Sequence, residues 1–152
     1  MNENNKTEAG NENNPQPAIM INTQYIKDLS LEIPFAPEIF RELTEAPHVD
    51  IHVDVDAQHM HDNYFNVNLS VKIDGSIKGK KLFILELLYA AVVSLNVPQE
   101  HVEPVLLVEI PRLLFPFARN VVTNCLVEGG LPPFMINPID FAGMYHQRQQ
   151  NQ

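Results

Sequence analysis

Histidine and aspartate alternate along one short stretch of the chain, and both are side chains that can bind a metal ion. They occupy every second position of the stretch: His48, Asp50, His52 and Asp54. Alternating histidines on a strand can bind zinc, but the alternation of any half-buried strand also produces such a polar face. No His-Glu-x-x-His motif, cysteine pair or clustered third ligand accompanies the stretch. The pattern favours a solvated strand face, and a metal-dependent enzyme that uses this strand stays open as an alternative of a different class.

Two other features contain reactive side chains, and each has a simpler interpretation. Cys125 is the single cysteine, and its apolar neighbours indicate a small core residue rather than a nucleophile. One cysteine cannot form an internal disulfide, which fits a reducing compartment. The stretch 75–81 contains glycine and lysine without the spacing of a phosphate-binding loop, and no serine or cysteine lies in an elbow motif. The sequence therefore predicts neither catalysis nor a metal or other cofactor.

The balance of charge narrows the possible partners. The chain of 152 residues carries 19 acidic and 10 basic side chains, a formal net charge of -9. Nucleic acids and anionic membrane surfaces attract clustered Lys and Arg, so neither is an expected partner. An acidic surface favours basic partners, including polypeptides with positive charge. No basic start followed by an apolar run opens the chain, and its longest apolar stretch, 82–97, is interrupted by polar residues, so we expect a cytoplasmic protein without a signal peptide or membrane insertion.

A long helix from Pro111 is the element around which the chain is organised. Pro111 suits the first helical position, and Gly129 and Gly130 supply the left-handed residue that ends a helix. Apolar residues recur between them at helical spacing: Leu113, Leu114, Phe117, Ala118, Val121, Val122, Cys125 and Leu126. Because this apolar arc is wide, we expect burial on two sides, the second against another subunit. Pro116 should bend the first turns.

Four earlier stretches, 23–33, 49–57, 64–73 and 80–97, are predicted strands joined as an antiparallel meander. The second and third alternate apolar and polar residues without a fault. In the first, five residues are predicted to share the buried face: Tyr25, Lys27, Leu29, Leu31 and Ile33. Its solvent-exposed face is predicted to hold Gln24, Asp28, Ser30 and Glu32.

The remaining stretches set the limits of the folded domain. The stretch 99–110 is a predicted helical lead-in, and Asn137 as cap with Pro138 as first residue predicts a terminal helix. Residues 1–18 form a polar, Asn-rich tail that cannot bury enough surface to offset its ordering entropy. The prediction is thus a disordered tail over 1–18, one domain over 19–147 and a frayed tail over 148–152.

Aromatic and flexible apolar residues outside the predicted sheet core indicate a binding surface. They lie in Pro-rich loops, at the start of the long helix and on the terminal helix: Phe35, Phe115, Phe117, Phe134, Met135, Phe141, Met144 and Tyr145. Such residues beside a groove suit recognition of varied apolar partners. The alternative is that each is an ordinary core residue.

Four separated motifs resemble the SecB protein-export chaperone family. They are Leu-Leu-Phe-Pro-Phe-Ala-Arg at 113–119, Gly-Gly at 129–130, the stretch 134–141 that ends in Asn-Pro-Ile-Asp-Phe, and Lys-Asp-Leu-Ser-Leu-Glu at 27–32. The resemblance runs from about Tyr25 to about His146. It implies an α+β fold: a four-stranded antiparallel sheet with a long helix and a shorter C-terminal helix on one face, assembled as a dimer-of-dimers homotetramer.

The resemblance also implies a function. It implies an ATP-independent holdase that binds unfolded precursor proteins and delivers them to the SecA motor, with a SecB-like chaperone of a toxin–antitoxin system as the alternative. The client-binding residues that it implies, joined by two from the terminal-helix pattern, are Phe35, Phe117, Tyr145, Phe141 and Met144. The SecA-binding residues that it implies are Asp28, Glu32, Ile84 and Glu86. The predicted tetramer interface is the middle of the long helix: Val121, Val122, Cys125 and Leu126.

Overall fold

A computed structural model describes residues 15–152 of the chain, so most of the predicted N-terminal tail lies outside the described residues. Its centre is a four-stranded antiparallel sheet with strand order β1-β4-β3-β2. The strands are β1 (Ile19–Glu32), β2 (His48–His61), β3 (Tyr64–Ile77) and β4 (Lys80–Leu95). The four strands predicted from the sequence are confirmed.

The order of the strands differs from the predicted meander. β1 pairs with β4 rather than with β2, so β1 and β2 form opposite edges of the sheet. A hairpin would need a link of a few residues, whereas the connection between β1 and β2 spans 33–47 and contains a 3-10 helix, Glu38–Glu42. This long connection lets the chain cross from one edge of the sheet to the other.

Helices follow the sheet in sequence. They are α1 (Gln99–Pro104), a π-helical segment (Val105–Glu109), α2 (Ile110–Glu128) and α3 (Phe141–Gln150). The helical path from Gln99 to Glu128 has no break, where the sequence pattern placed a separate lead-in before Pro111. Pro104 and Pro111 lie on either side of the π-helical segment. Because proline removes an N–H and crowds the carbonyl four residues earlier, the two prolines favour a wider turn between them.

The side chains of β2, β3 and β4 alternate between two faces of the sheet. Ile51 of β2 pairs with Ile73 of β3, which pairs with Leu85 of β4. These side chains lie on one apolar face of the sheet, and the helices pack against that face. The opposite face carries no helix of the described chain, and we call it the open face. The predicted inward residues of β2 and β3 are confirmed, because strict alternation leaves one register that buries them.

The faces of β1 are only partly as predicted. The register with β4 shifts between Ile21 and Thr23 and again between Ile26 and Asp28. Each β-bulge inserts one residue and moves the following side chains to the other face. Tyr25 consequently pairs with Ala90 on the open face, so the prediction that it shares a face with Leu29 is wrong. The two-residue periodicity of a strand sequence does not show where such a bulge will occur.

The end of α2 is as predicted. Gly130 has φ 72°, the left-handed conformation, and the N–H of Leu131 donates to the carbonyl of Leu126 at 3.0 Å. The N–H of Gly130 donates to the carbonyl of Val127 at 3.0 Å. This pair of bonds is a Schellman motif, which satisfies carbonyls that the helix end would leave free.

The start of α3 differs from the prediction. Asn137 does not cap the helix; Asp140 does, and its Oδ1 accepts from the N–H of Gly143 at 3.0 Å. A carboxylate is as good a cap as an amide and also favours the positive end of the helix dipole. α3 then continues to Gln150, so residues 148–150 are helical where a frayed tail was predicted.

Candidate binding surfaces

Several large apolar side chains of this protein are exposed. Phe35, in the link after β1, is 57% exposed, and Phe117, in the first half of α2, is 52% exposed. Met135, in the Pro-rich loop before α3, is 77% exposed. Exposed apolar side chains of this size, on loops and a helix, are suited to contact another polypeptide.

A cleft of about 670 Å³ lies between the edge strand β2 and α3. Its apolar lining comes from Val53 and Val55 of β2, Leu107 of the π-helical segment, and Met144 and Tyr145 of α3. The predicted residues Met144 and Tyr145 are therefore together and half-buried at its wall. Phe35 and Phe117 are not part of this lining.

Phe141 is a correction to the predicted client-binding set. Its side chain is 2% exposed and packs edge-on against Phe115, with ring centroids 6.0 Å apart. The guanidinium of Arg119 lies 5.8 Å from the ring centroid of Phe115 and extends this stack. A side chain enclosed in this way belongs to the core and fixes the first residue of α3, so it is not available to a client.

A second apolar groove, of about 550 Å³, was not predicted. One wall is the link 43–47, and the other is the Pro-rich stretch 132–134, with Val49 beside them. The two walls are far apart in sequence, and no periodicity joins them. Their proline content was a signal for loops, but nothing in the sequence could place the loops side by side.

The four residues expected to bind SecA share the open face. Glu32 of β1 faces Ile84 of β4, and Ser30 faces Glu86 two positions along the same strands. Asp28 faces Leu88 beyond a β-bulge, on the same face. Their positions are thus adjacent on two neighbouring strands, although more than fifty residues separate them in the sequence.

Further acidic side chains of the open face lie on β3 and β2, and some acidic side chains of this face contact lysines. Lys72 of β3 contacts Glu86 at 3.8 Å, and Lys81 contacts Asp74 at 2.8 Å. The bond from Lys81 holds the pKa of Asp74 below its ordinary value, against the opposing effect of partial burial. The aspartates of β2 extend the acidic surface to the edge of the sheet: Asp50, Asp54 and Asp56.

The alternating His and Asp side chains of β2 do not form a metal-binding cluster. His48 Nε2 lies 3.3 Å from Asp50 Oδ1, and both side chains are largely exposed. Over residues 15–152, no group of three His, Cys, Asp or Glu side chains is placed to hold a metal ion. The His and Asp side chains of β2 alternate with apolar ones because one face of this strand is covered and the other lies on the open face.

The predicted tetramer-interface residues of α2 divide into two pairs. Val122 and Leu126 are 1% and 0% exposed and face the sheet of their own protomer, so they cannot contact another subunit. Val121 and Cys125 are half-buried. Burial raises the pKa of the Cys125 thiol, in keeping with an apolar packing role. The apolar side chains on the outer side of α2 are Leu113, Phe117 and Val127.

Together these features describe an α+β protein with exposed apolar side chains, two open grooves and an acidic sheet face that no described helix covers. Residues 12–152 match the family described as preprotein translocase subunit SecB. A protein-export protein SecB of Rhodospirillum rubrum is 53% identical over 135 residues, covering 89% of this chain and 84% of that protein. Another, of Paramagnetospirillum magneticum, is 49% identical over 143 residues, covering 93% and 92%. The chain belongs to the SecB family.

A solved structure shares the fold. It is the Mycobacterium tuberculosis SecB-like chaperone Rv1957, in complex with a ChAD peptide from the HigA1 antitoxin. Its TM-score is 0.68 at 13% identity, covering 80% of this chain and 91% of that chain. At this identity the likeness concerns the fold alone. Among the described residues, no helix is long and apolar enough to span a membrane.

Proposed function

We propose that this SecB-family chaperone of protein export works as an ATP-independent holdase that keeps unfolded precursor proteins competent for translocation. The observation that carries the proposal is the exposure of large apolar side chains on loops and on α2, at Phe35, Phe117 and Met135. An unfolded precursor offers apolar segments that a folded protein has buried. The holdase would therefore select clients by their failure to fold quickly.

Many weak contacts can hold such a client. The cleft at α3 and the groove at 132–134 are both shallow and open, so each alone would bind weakly. Sites that belong to one assembly act on a single extended chain at high effective concentration, which multiplies their affinities. Phe35, Phe117, Met144 and Tyr145 are the residues proposed to contact the client.

Dilution of a urea-denatured precursor into buffer tests the holdase. With near-stoichiometric protein present, we expect refolding to slow and a complex to appear on size-exclusion chromatography. The same precursor, refolded before mixing, is the control and should not bind. Refolding at an unchanged rate without a complex would contradict the proposal.

We further propose that the chain assembles as a homotetramer, a dimer of dimers, with α2 between its halves. The outer side of α2 carries Leu113 and Val127, an exposed apolar row that its own sheet does not cover, and Val121 is half-buried. Native mass spectrometry measures the assembly directly. A monomer at micromolar concentration would contradict this proposal and leave the row without a partner.

The open face is the proposed docking surface for SecA. Asp28, Glu32, Ile84 and Glu86 lie there, away from the grooves that would hold the client. An acidic surface accelerates encounter with a basic partner and fixes its orientation. A client and the motor could then be bound at once, which hand-over requires.

The proposed setting is the cytoplasm, and the proposed chaperone domain is 19–147. A SecB-like role in a toxin–antitoxin system is the alternative that the sequence left open. Affinity purification from the native host separates the two: recovery of SecA with precursors supports export, and recovery of an antitoxin without SecA supports the alternative.

A further inference from the structure

The open face contains a shallow depression of about 490 Å³ whose lining residues come from all four strands. Three carboxylates line it: Asp28 of β1, Asp54 of β2 and Glu86 of β4. The lysine of this lining is Lys72 of β3. Because Asp28 and Glu86 belong to the surface proposed to dock SecA, Lys72 brings a positive charge into a surface that would attract a basic partner.

The three carboxylates of the depression differ in their existing contacts. Asp54 Oδ1 accepts a hydrogen bond from Arg148 of α3 at 3.0 Å. Asp28 forms no ion pair within residues 15–152. Glu86 is intermediate, since its Oε1 lies 3.8 Å from the Nζ of Lys72. A basic partner therefore reaches Asp28 directly, but it reaches Glu86 only in competition with Lys72.

The contact between Lys72 and Glu86 is loose. Its 3.8 Å separation is longer than a hydrogen bond, and both side chains are more than half exposed. The other lysine on this face, Lys81, bonds Asp74 at 2.8 Å, and the Asp74 side chain is 27% exposed. Water and salt compete for an exposed ion pair far more than for an enclosed one. Lys72 can therefore exchange partners, whereas Lys81 holds the end of the hairpin.

The backbone keeps Lys72 beside Glu86 even when the ammonium group moves. The two residues are directly paired between β3 and β4, and directly paired side chains start about 5 Å apart. A second carboxylate, Asp74, follows two positions along β3 on the same face. The bond from Lys81 is the main cause that lowers the pKa of Asp74, and the charge of Lys72 lowers it further. A displaced Lys72 thus has a neighbouring carboxylate toward which it can turn.

We propose that Lys72 is an internal competitor on the docking surface: a basic side chain of SecA must displace it from Glu86, so Lys72 lowers the affinity of docking. This inference rests on the proposed docking of SecA on the open face. A positive charge within the surface also slows the encounter with a basic partner. Docking is thereby kept weak enough to reverse after the client has been handed over.

Removal of the lysine charge tests the proposal. Lys72→Gln should tighten the dissociation constant for SecA from the same organism by about three- to tenfold at low salt, with a faster association rate. Higher salt should shrink the gain, because the charges are exposed. Biolayer interferometry at two ionic strengths measures both rates. The midpoint of thermal unfolding should stay unchanged, which shows that the variant is folded.

Two control variants separate the position of the charge from its amount. Lys78→Gln removes the same charge from the exposed turn between β3 and β4. Six residues of strand span about 20 Å, which exceeds the screening length of about 8 Å at physiological salt. Lys78→Gln should therefore leave the affinity within about twofold of the unmodified protein. Lys72→Arg keeps the charge in place, so it should also keep the affinity.

A double variant tests the competition for Glu86 itself. In a Glu86→Gln background, Lys72 has no carboxylate to withhold at this position. Lys72→Gln should then tighten binding by a smaller factor than it does with Glu86 present, because the two residues act through one contact. An equal factor in both backgrounds would assign the effect to net charge and overturn the competition.

The outcomes separate this inference from the proposed docking. If the unmodified protein does not bind SecA, the docking proposal fails and the inference fails with it. If the unmodified protein binds and Lys72→Gln binds equally or more weakly, the inference is overturned while the docking stands. Tighter binding by Lys72→Gln, without a change in Lys78→Gln or Lys72→Arg, supports the internal competitor.

Discussion

The two faces of the sheet are made from the same alternating strands, yet helices pack against one face and no described helix packs against the other. Leu69 and Ser70 are neighbours on β3: Leu69 is fully buried under the helices, and Ser70 is exposed on the open face. Burial of apolar area stabilises the fold in proportion to that area, whereas an exposed polar residue contributes little. The helix-covered face should therefore determine stability, and the open face is available to bind the proposed partner SecA.

The largest expected effect is on the covered face. Leu69→Ala removes a side chain that the helices fully enclose, and it should lower the free energy of unfolding by about 2–5 kcal/mol. Ser70→Ala, the adjacent control, should change it by less than about 0.5 kcal/mol. Urea unfolding at one fixed protein concentration measures both, since assembly would make stability depend on concentration. Equal losses would erase the distinction between the faces.

The next effect is on the open face and concerns partners. Asp28→Asn combined with Glu86→Gln should weaken binding to SecA about tenfold, or about 1.4 kcal/mol, without a change in the unfolding midpoint. Raising the salt concentration should shrink the difference, because these charges are exposed. Biolayer interferometry at two ionic strengths measures both.

A charge-matched control completes the test of the open face. Glu38→Gln combined with Glu100→Gln also removes two negative charges, but from the link and from α1. An equal loss of affinity in this variant would assign the effect to net charge rather than to the open face.

Phe117 extends the comparison to α2, where the exposed side rather than the buried side is proposed to bind. Phe117→Ala should weaken binding of the urea-denatured precursor by about threefold to fivefold, because one apolar contact among several is removed. Stability should fall by less than about 0.5 kcal/mol, since the ring is already half in water. Native mass spectrometry measures the assembly, and titration with the denatured precursor measures the affinity. An intact tetramer that binds the precursor with unchanged affinity would show that Phe117 has only a packing role.

The smallest expected effect is an ion pair at the end of the hairpin. The bond from Lys81 lowers the folded-state pKa of Asp74, so its stabilisation is present above the ordinary pKa and is lost as pH falls through the lowered value. Lys81→Met should cost about 0.5 kcal/mol at pH 7, as exposed ion pairs do. The cost should shrink as the pH falls below the lowered pKa of the folded state, because the carboxyl is then protonated in both states. Thermal unfolding across this range would contradict the assignment if the cost stayed constant.

The residues that could be placed from the sequence are those with an uninterrupted period. Val53 and Val71 alternate with polar neighbours, and helical spacing predicted the buried side of α2 at Leu114 and Ala118. Gly130 as the end of α2 was also predictable, because few other residues adopt a left-handed conformation without cost.

The features that could not be predicted depend on contacts between distant segments. The two β-bulges of β1 arise from its pairing with β4, which local propensity does not encode. Helical spacing made Val122 and Leu126 candidates for an interface, but only the position of the sheet shows that they face inward. The approach of Arg148 to Val55 likewise depends on where a loop of twelve or so residues delivers α3.

The bulges of β1 have a consequence for aggregation. A flat, regular edge strand is a template on which other chains can add, and β1 is instead interrupted twice and carries charged side chains at Lys27 and Asp28. At the opposite edge, Arg148 covers part of β2. An unfolded polypeptide bound nearby could otherwise add to such an edge as a further strand, and the bulges and charges make these edges poor templates for that addition.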